Sequence, residues 1–543
     1  MSARPFDIPE ILDLIGKSLP YKDQVNCLRV SKAFYGVFIS DVWRTISVEP
    51  KSRNYVSSNP IYPTGWALER NKEHIQAIEF QGDYPQEYFG LRGCRHLQTL
   101  IIRPPTIHLR IDLQATWEKN IFIAFANLTS AHASTVRNVT IDFYMDLMAY
   151  PPRELWIALN KCPILNQLHL TTLVVLGEHM STLLQVCSKA QSLILEFVII
   201  QDWTSESDEI HADHCRLRNV KIIRAADGVG YKGSNSQNQA KIIRRFHNLQ
   251  SLEYRIKDDS LHSREPGVSA TDFIKTLTQD PWLLHKLEDL NIKSAQVQDE
   301  IIAGFLDKIR NLKALNVSDT PFGPMSLQAL FNENTSTLVT FGPADCQRRR
   351  KVWESIATLD LGNCRNVTGD MIQRVLENCS GLTQFLAGKI TTIDIARGKD
   401  WTCRNMTTMK IYLATERDLH RGKGGDNSEC SKQQRIAYSR LATLTKLRVL
   451  NLTEGNIPEI GSMKTLDLNL KAGLRMLSML KELRELMFLR DTYQHMGVAE
   501  ARWITKSWPH FSSLAGIANA RRKTRGAFNA ILNSKNIIVK YRT

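Results

Sequence analysis

The chain has 543 residues, 43% apolar and 23% charged, with ten cysteines and a formal net charge of +15. This balance excludes disorder as the main state, and the length exceeds what one compact core covers. An array of stacked repeats can grow this long because each unit touches only its neighbours. The opening MSARPFDIPE holds no apolar signal region, and no run approaches the roughly 18 apolar residues of a membrane span. The expectation is an intracellular protein, cytoplasmic and/or nuclear.

Residues 6–46 predict two or three short helices. Pro9 suits a first helical turn, and Ile11, Leu12, Ile15 and Leu19 form an apolar face that Pro20 ends. Asp23 opens a second helix with Val25, Leu28 and Val30 inward, followed by Phe34, Val37 and Phe38. A core of roughly 40 residues is marginal, so this module leans on a partner or on the rest of the chain.

The ordered set Ile8, Pro9, Glu10, Ile11, Leu12, Leu19, Asp23, Val30, Ser31, Lys32, Phe34, Trp43 and Arg44 resembles the F-box pattern, although family members usually open with Leu-Pro where this chain has Ile8-Pro9. The resemblance implies an F-box over residues 1–46 that docks onto the Skp-family adaptor, and through it the cullin scaffold, of an SCF-type ubiquitin ligase. It places Ile8, Pro9, Ile11, Leu12, Ile15, Leu19, Val25, Leu28, Val30 and Trp43 at or beside that contact.

Residues 47–74 contain three prolines and several serines without a period and read as a linker, partly packed around Tyr62 and Trp66. Beyond it the spacing L-x-x-L-x-L recurs. Ile75, Ile78 and Phe80 form the first match, then Leu97, Leu100 and Ile102, then Val136, Val139 and Ile141. Further matches start at Leu165, Ala190, Leu217, Leu249, Leu287, Leu312, Ile356, Leu382, Met406, Leu447, Leu483 and Phe511, with a degenerate one at Ser336 to Phe341 whose middle residue is Leu338. The clearest unit runs from Ile356. Leu359, Leu361 and Cys364 complete a strand template, and Met371, Ile372, Val375 and Leu376 come next at helical spacing behind Thr368. The middle positions recur mostly every 21 to 32 residues, as in irregular leucine-rich repeats. The expected fold is therefore α/β: an N-terminal helical module, then a leucine-rich-repeat solenoid over residues 75–520 with a parallel concave sheet and convex helices. With the F-box, this order resembles fungal F-box and leucine-rich-repeat proteins.

Three steps are long: Leu100 to Val139, Leu252 to Leu290, and Met409 to Leu486. Glu416–Gln433 is polar and Gly-containing and reads as an exposed insertion. Residues 521–543 read as a basic tail, unless Ile537, Ile538 and Val539 form a last strand. From Ala501 to Thr543 there are nine Lys or Arg and no Asp or Glu.

Cys162, Cys187, Cys364, Cys379 and Cys403 fall near strand or helix ends and read as core thiols. Asp208, Glu209, His211, Asp213, His214 and Cys215 form a ligand-rich run without a second pair at zinc-finger spacing, so a solvated loop is the expectation. Arg421-Gly-Lys-Gly-Gly lacks the full phosphate-loop arrangement, and no nucleophile elbow or H-E-x-x-H helix occurs. No cofactor and no catalysis are expected. Two basic runs, Arg348–Lys351 and Arg521–Arg525, can attract phosphate, which keeps a rival open: a basic leucine-rich scaffold binding RNA or a nuclear complex.

In each triplet the later leucines point inward, so the residues beside them face solvent on the concave sheet. Among these are Arg103, His169, Glu196, Lys221, Glu253, Arg255, Asp289, Lys293, Asp360, Lys410 and Glu485. Their signs are mixed, which suits a protein epitope better than a phosphate backbone. The function read from the sequence is a non-catalytic substrate adaptor, with the repeats holding a protein on that face and the excess positive charge lying off it.

Overall fold

The computed structural model describes residues 9–46, 63–81, 86–103, 111–143, 148–203, 215–225, 235–257, 268–279, 284–331, 352–415, 427–453, 465–489, 491 and 494–541. The chain divides into two compact units, residues 1–249 and 250–543.

The first unit opens with helices α1 (Pro9–Ser18), α2 (Tyr21–Cys27) and α3 (Lys32–Arg44). Pro20 separates the first two, and Gln24 Nε2 donates to the Gly16 and Leu19 carbonyls at the end of α1, at 2.8 and 3.1 Å. Ser31 caps α3 by accepting from Phe34 N–H at 3.2 Å. Helices α1 and α3 cross closely, since a Cβ on Gly16 would lie 2.5 Å from the Phe38 ring. Leu12, Phe38, Ile39 and Val42 fill the small core.

Strand β1 (Thr45–Ile46) continues from α3, and after it come β2 (Ala77–Gln81), β3 (Thr99–Arg103), β4 (Asn138–Asp142) and β5 (Gln167–Thr171). Then come β6 (Val174–Leu176), β7 (Ser192–Glu196), β8 (Ile199–Gln201) and β9 (Asn219–Ala225). Between them lie α4 (Gly65–Asn71), α5 (Ile111–Ala131), α6 (Arg153–Asn160) and α7 (Met180–Lys189), and α8 (Asn235–Arg244) closes the unit. Strands β1, β2, β3, β4, β5, β7 and β9 pair in that order, all parallel, and β6 with β8 forms a short side sheet. Parallel neighbours need a crossover, and α4, α5, α6 and α7 supply it between β1 and β2, β3 and β4, β4 and β5, and β5 and β7. Ile46, Ile78, Leu100, Val139, Leu168, Leu193 and Val220 stand opposite one another in one column, none more than 6% exposed.

The second unit repeats the scheme through β10 (Ser251–Lys257), β11 (Asp289–Asn291), β12 (Ala314–Asn316), β13 (Thr358–Asp360) and β14 (Gln384–Thr391). It continues through β15 (Thr408–Ala414), β16 (Val449–Asn451), β17 (Glu485–Met487), β18 (Ser513–Ala515) and β19 (Ile538–Lys540). Its helices are α9 (Val268–Thr278), α10 (Asp299–Leu306), α11 (Pro324–Phe331), α12 (Val352–Ser355) and α13 (Gly369–Asn378). After them come α14 (Thr392–Arg397), α15 (Asn427–Ala442), α16 (Val498–Ser507) and α17 (Arg522–Asn533). Consecutive strands pair in parallel from β10 to β19, and the column runs Leu252, Leu290, Leu315, Leu359, Phe385, Met409, Leu450, Leu486, Leu514, Val539.

Polar groups fix the turns that leave the strands. Asn291, Asn316, Asp360 and Asn451 each accept the N–H two residues on, at 3.2, 3.0, 2.9 and 2.8 Å. Thr172, Phe197, Ser294, Asp319 and Asn363, each four residues after a column residue, take φ between 54° and 61°. A left-handed side chain costs about 1 kcal/mol or more and persists where its surroundings over-determine it. Here Thr172, Phe197, Ser294 and Asp319 each donate N–H to a carbonyl of the following repeat at 2.8 Å. Asp299 on α10 joins two repeats by accepting from Gly323, Met325 and Ser326 N–H at the start of α11, at 2.8, 2.9 and 3.1 Å.

Three boundaries differ from the sequence reading. Leu315 pairs directly with Leu359, so no strand enters between them; Leu338 lies outside the described residues. Of the expected insertion, residues 416–426 lie outside the described residues, but from Asn427 the chain is α15, which buries Ala437, Tyr438 and Leu441 at helical spacing. The segment read as a basic tail is α17 and β19: Phe528 and Leu532 are buried, and Ile538, Val539 and Lys540 pair with Ser513, Leu514 and Ala515. Arg348–Lys351 lies outside the described residues. Among the described residues no helix is long and apolar enough to cross a membrane.

Two measurements check this packing. Deleting residues 535–543 removes β19 together with Ile537, which is 4% exposed, and should lower the unfolding free energy of the second unit by about 2–4 kcal/mol in urea titration. An unchanged midpoint would return the segment to a tail. Burial pushes the thiols of Cys94, Cys162, Cys364 and Cys403 up to about 11 and that of Cys379 to about 12, with Cys187 raised further. The thiolate is the reactive form, so at pH 8 an aqueous thiol reagent should leave these six unlabelled until urea is added. Rapid native labelling of Cys379 would contradict its place in the core.

Candidate protein-binding surfaces

Alternation along each strand sends the column residues into the core and their neighbours to the open face of the sheet. In the first unit Arg103 on β3 pairs with Glu79 on β2 and, from Nε at 3.1 Å, with Asp142 on β4. His169 Nε2 lies 3.4 Å from Glu196 Oε1 and 3.2 Å from Thr171 Oγ1. Lys221 is half-buried beyond them. The Arg103 charge is thus matched on both adjacent strands, where opposite signs stabilise the pairing.

In the second unit Arg255 Nε lies 2.6 Å from Glu253 Oε1. Asp289 accepts from Ser251 Oγ at 3.3 Å, while burial and then the Glu253 charge raise its carboxyl above the usual range. Lys293 Nζ is 3.8 Å from Asp319, which also accepts from Asn363 Nδ2 at 2.8 Å. Burial raises Asp360 as well, and its Oδ1 is held by Gly362 N–H. As pH falls, Asp289 and Asp360 therefore lose their charge before an ordinary carboxylate does. Lys410 is exposed and Glu485 half-buried, next to the half-buried Met487. Two expected recognition residues thus have structural duties. Asp360 closes its own turn, and Glu253 is tied to Arg255 with only 21% of its side chain exposed.

Glu79, Asp142 and Asp319 belong to this surface and were missed. Applying the alternation rule to the triplets at Ile78 and Val139 would have found the first two. Asp319 lies in the turn after β12, where alternation no longer gives direction.

The N-terminal helices form a second surface. Leu12 is 1% exposed and serves the module's own core, against its expected place in a contact. Ile11, Ile15, Leu19, Val25, Leu28 and Trp43 are half-buried, and Val30 is 65% exposed. Ile8 lies outside the described residues, as does the side chain of Pro9. Two residues not singled out from the sequence, Leu14 and Tyr21, are 66% and 63% exposed. Leu14 lines a groove of about 530 Å³ with Val37, Glu10 and Asp13. The signal was present in the sequence: Leu14 stands two residues past Leu12, so on a helix it cannot share that buried face.

The core thiols Cys94, Cys162 and Cys379, raised by burial, stay protonated near neutrality. Among the described residues no group of three His, Cys, Asp or Glu could hold a metal. The run Asp208, Glu209, His211, Asp213 and His214 lies outside them, and Cys215 is buried.

No protein-family model and no curated protein matches the chain. Among solved structures, a leucine-rich-repeat protein of Leptospira interrogans is similar with a TM-score of 0.45 and 11% identity, over 88% of this chain and 92% of that one. An internalin of Listeria monocytogenes gives 0.30 and 13%, over 88% of each chain. Similarity at this level leaves the fold to the chain's own recurring triplets, paired in register with helices between them. By that criterion its fold is the α/β solenoid of leucine-rich repeats.

Proposed function

We propose that this chain is a substrate-recognition adaptor, in which the N-terminal helices dock the Skp-family subunit of a cullin-RING ubiquitin ligase and the open face of the repeats holds a protein substrate. The observation that carries the first half is a three-helix module with an F-box-like residue order that leaves Leu14, Tyr21 and Val30 exposed. Exposed apolar residues grouped on so small a module are what a docking partner covers. The mixed, largely paired charges of the open face support a protein ligand there, since a phosphate-following surface is dominated by unpaired cations. The reaction belongs to other subunits. Tethering raises local substrate to roughly millimolar and needs no catalytic group in this chain.

Leu14→Asp with Val30→Asp changes exposed positions, so helicity should be kept while capture of a Skp-family adaptor falls at least about tenfold through burial of unpaired charge. Leu12→Asp is the fold control: it should cost the module about 3–5 kcal/mol and abolish capture by unfolding it. Unchanged capture by the folded double variant would remove the docking assignment.

The open face is tested with photo-crosslinkers at Lys293 and Lys410, compared with Lys432 on α15. The expected outcome is one protein crosslinked from the first two sites and not from the third, with Lys293→Glu and Lys410→Glu reducing its yield about tenfold. RNA as the main crosslinked species would favour the basic-scaffold reading.

A further inference from the structure

The last strand and the helix before it form a basic, partly apolar edge distinct from both surfaces above. In β19, Ile538 N–H donates to the Ser512 carbonyl at 2.9 Å, and the Lys540 carbonyl accepts from Gly516 N–H at 3.1 Å. The alternation of a parallel ladder then aims the N–H and C=O of Val539 away from β18, at the edge opposite the one residue-for-residue ladder that β19 makes among the described residues. Such an edge is a template for another chain unless it is blunted by charge, bulge or cover. Here Ile538 stands 59% exposed beside it, and Lys540 is its one charge.

The charge of this C-terminal stretch has one sign. Residues 501–543 hold nine Lys or Arg and no Asp or Glu. Arg502, Lys506, Arg521, Arg522, Lys523, Lys535 and Lys540 are exposed. The preceding carboxylate in the chain, Glu500, is engaged by Gly497 and Leu470 N–H, at 2.8 and 3.2 Å. Arg521, Arg522, Lys523 and Arg525 crowd the N-terminal end of α17, which has no acidic residue in its first turn and no side-chain cap. Cations there oppose the helix dipole, so stability alone does not account for them. Arg525 stacks 5.9 Å over the Tyr541 ring, which brings one of these cations to the end of β19.

We infer that this edge binds an extended acidic segment of a partner protein by strand addition. Main-chain hydrogen bonds to Val539 would give the pairing, and the basic end would select carboxylates over other sequences. A peptide fits better than RNA, because the described aromatic beside the edge, Tyr541, already carries Arg525 on its face and a hydrogen bond from Asn529. This inference does not depend on the proposed adaptor function.

The probe is a fluorescent dodecapeptide alternating Glu and Val, titrated against the full chain by anisotropy, with an alternating Lys and Val peptide and an oligouridylate as comparisons. The acidic peptide should bind with an affinity that falls as salt rises, and the basic peptide should not bind. Val539→Pro removes the outward N–H and keeps every charge, and it should weaken binding at least about tenfold. Backbone N-methylation of alternate probe residues should do the same on the unmodified protein, free of any effect on folding. Arg522→Glu with Lys523→Glu should weaken it to a similar degree. Undiminished binding of the methylated peptide, or tighter binding of the oligouridylate than of the acidic peptide, would overturn the inference. Concentration-dependent dimerisation that Val539→Pro abolishes would overturn it in favour of a second copy of this chain.

Discussion

In each unit one column of apolar side chains has to stay in register while the connections around it change length. The column holds because parallel strands pair residue for residue, from Leu100 to Val139 to Leu168 in the first unit and from Leu315 to Leu359 to Phe385 in the second. A slip by one residue would send Leu168 to the open face and Gln167 into the core, so every strand is specified by the period-2 pattern of its neighbours. Loop length costs comparatively little. Each doubling of a flexible loop adds only about 0.6 kcal/mol of closure entropy, which is why steps as different as Leu290 to Leu315 and Leu315 to Leu359 coexist in one sheet.

The same constraint decides what could be read from the sequence. Strands were legible because burial needs three apolar residues at fixed offsets, and the triplets starting at Leu165, Ala190, Leu217, Leu287, Ile356 and Leu447 all supply a column residue three positions on. A triplet is not required in full: Val539 joins the column opposite Leu514 with Asn536, a polar residue, three positions before it. The last strand was obscured by composition, since a short apolar run between cations is as consistent with a tail as with an edge. Helix α15 was obscured by the polar residues before it, although Ala437, Tyr438, Leu441 and Leu444 already had helical spacing.

Surfaces were less legible than the core because one position can serve two purposes. Asp360 and Asn451 occupy open-face positions and also accept the N–H two residues on, which the shape of the strand requires whatever binds there. Arg103 is matched by Glu79 and Asp142, and such partners reduce the charge available to a ligand. Sequence shows which residues face out, whereas their freedom depends on side-chain pairing across strands that are about 20 to 40 residues apart.

The proposed tethering role depends on how firmly the N-terminal helices are joined to the open face, and within the first unit the joint is a β-ladder. Helix α3 runs directly into β1, Ile46 stands opposite Ile78, and the Arg44 carbonyl accepts from Gln76 N–H at 2.8 Å. The helices are therefore built onto the same sheet whose open face carries Glu79, Arg103 and Asp142. Bending that joint would break ladder hydrogen bonds and open the contact of Ile46, which is 6% exposed, with its neighbours. For an adaptor this favours a fixed presentation: a substrate segment held on the first unit's open face would keep a set distance from whatever grips Leu14 and Val30.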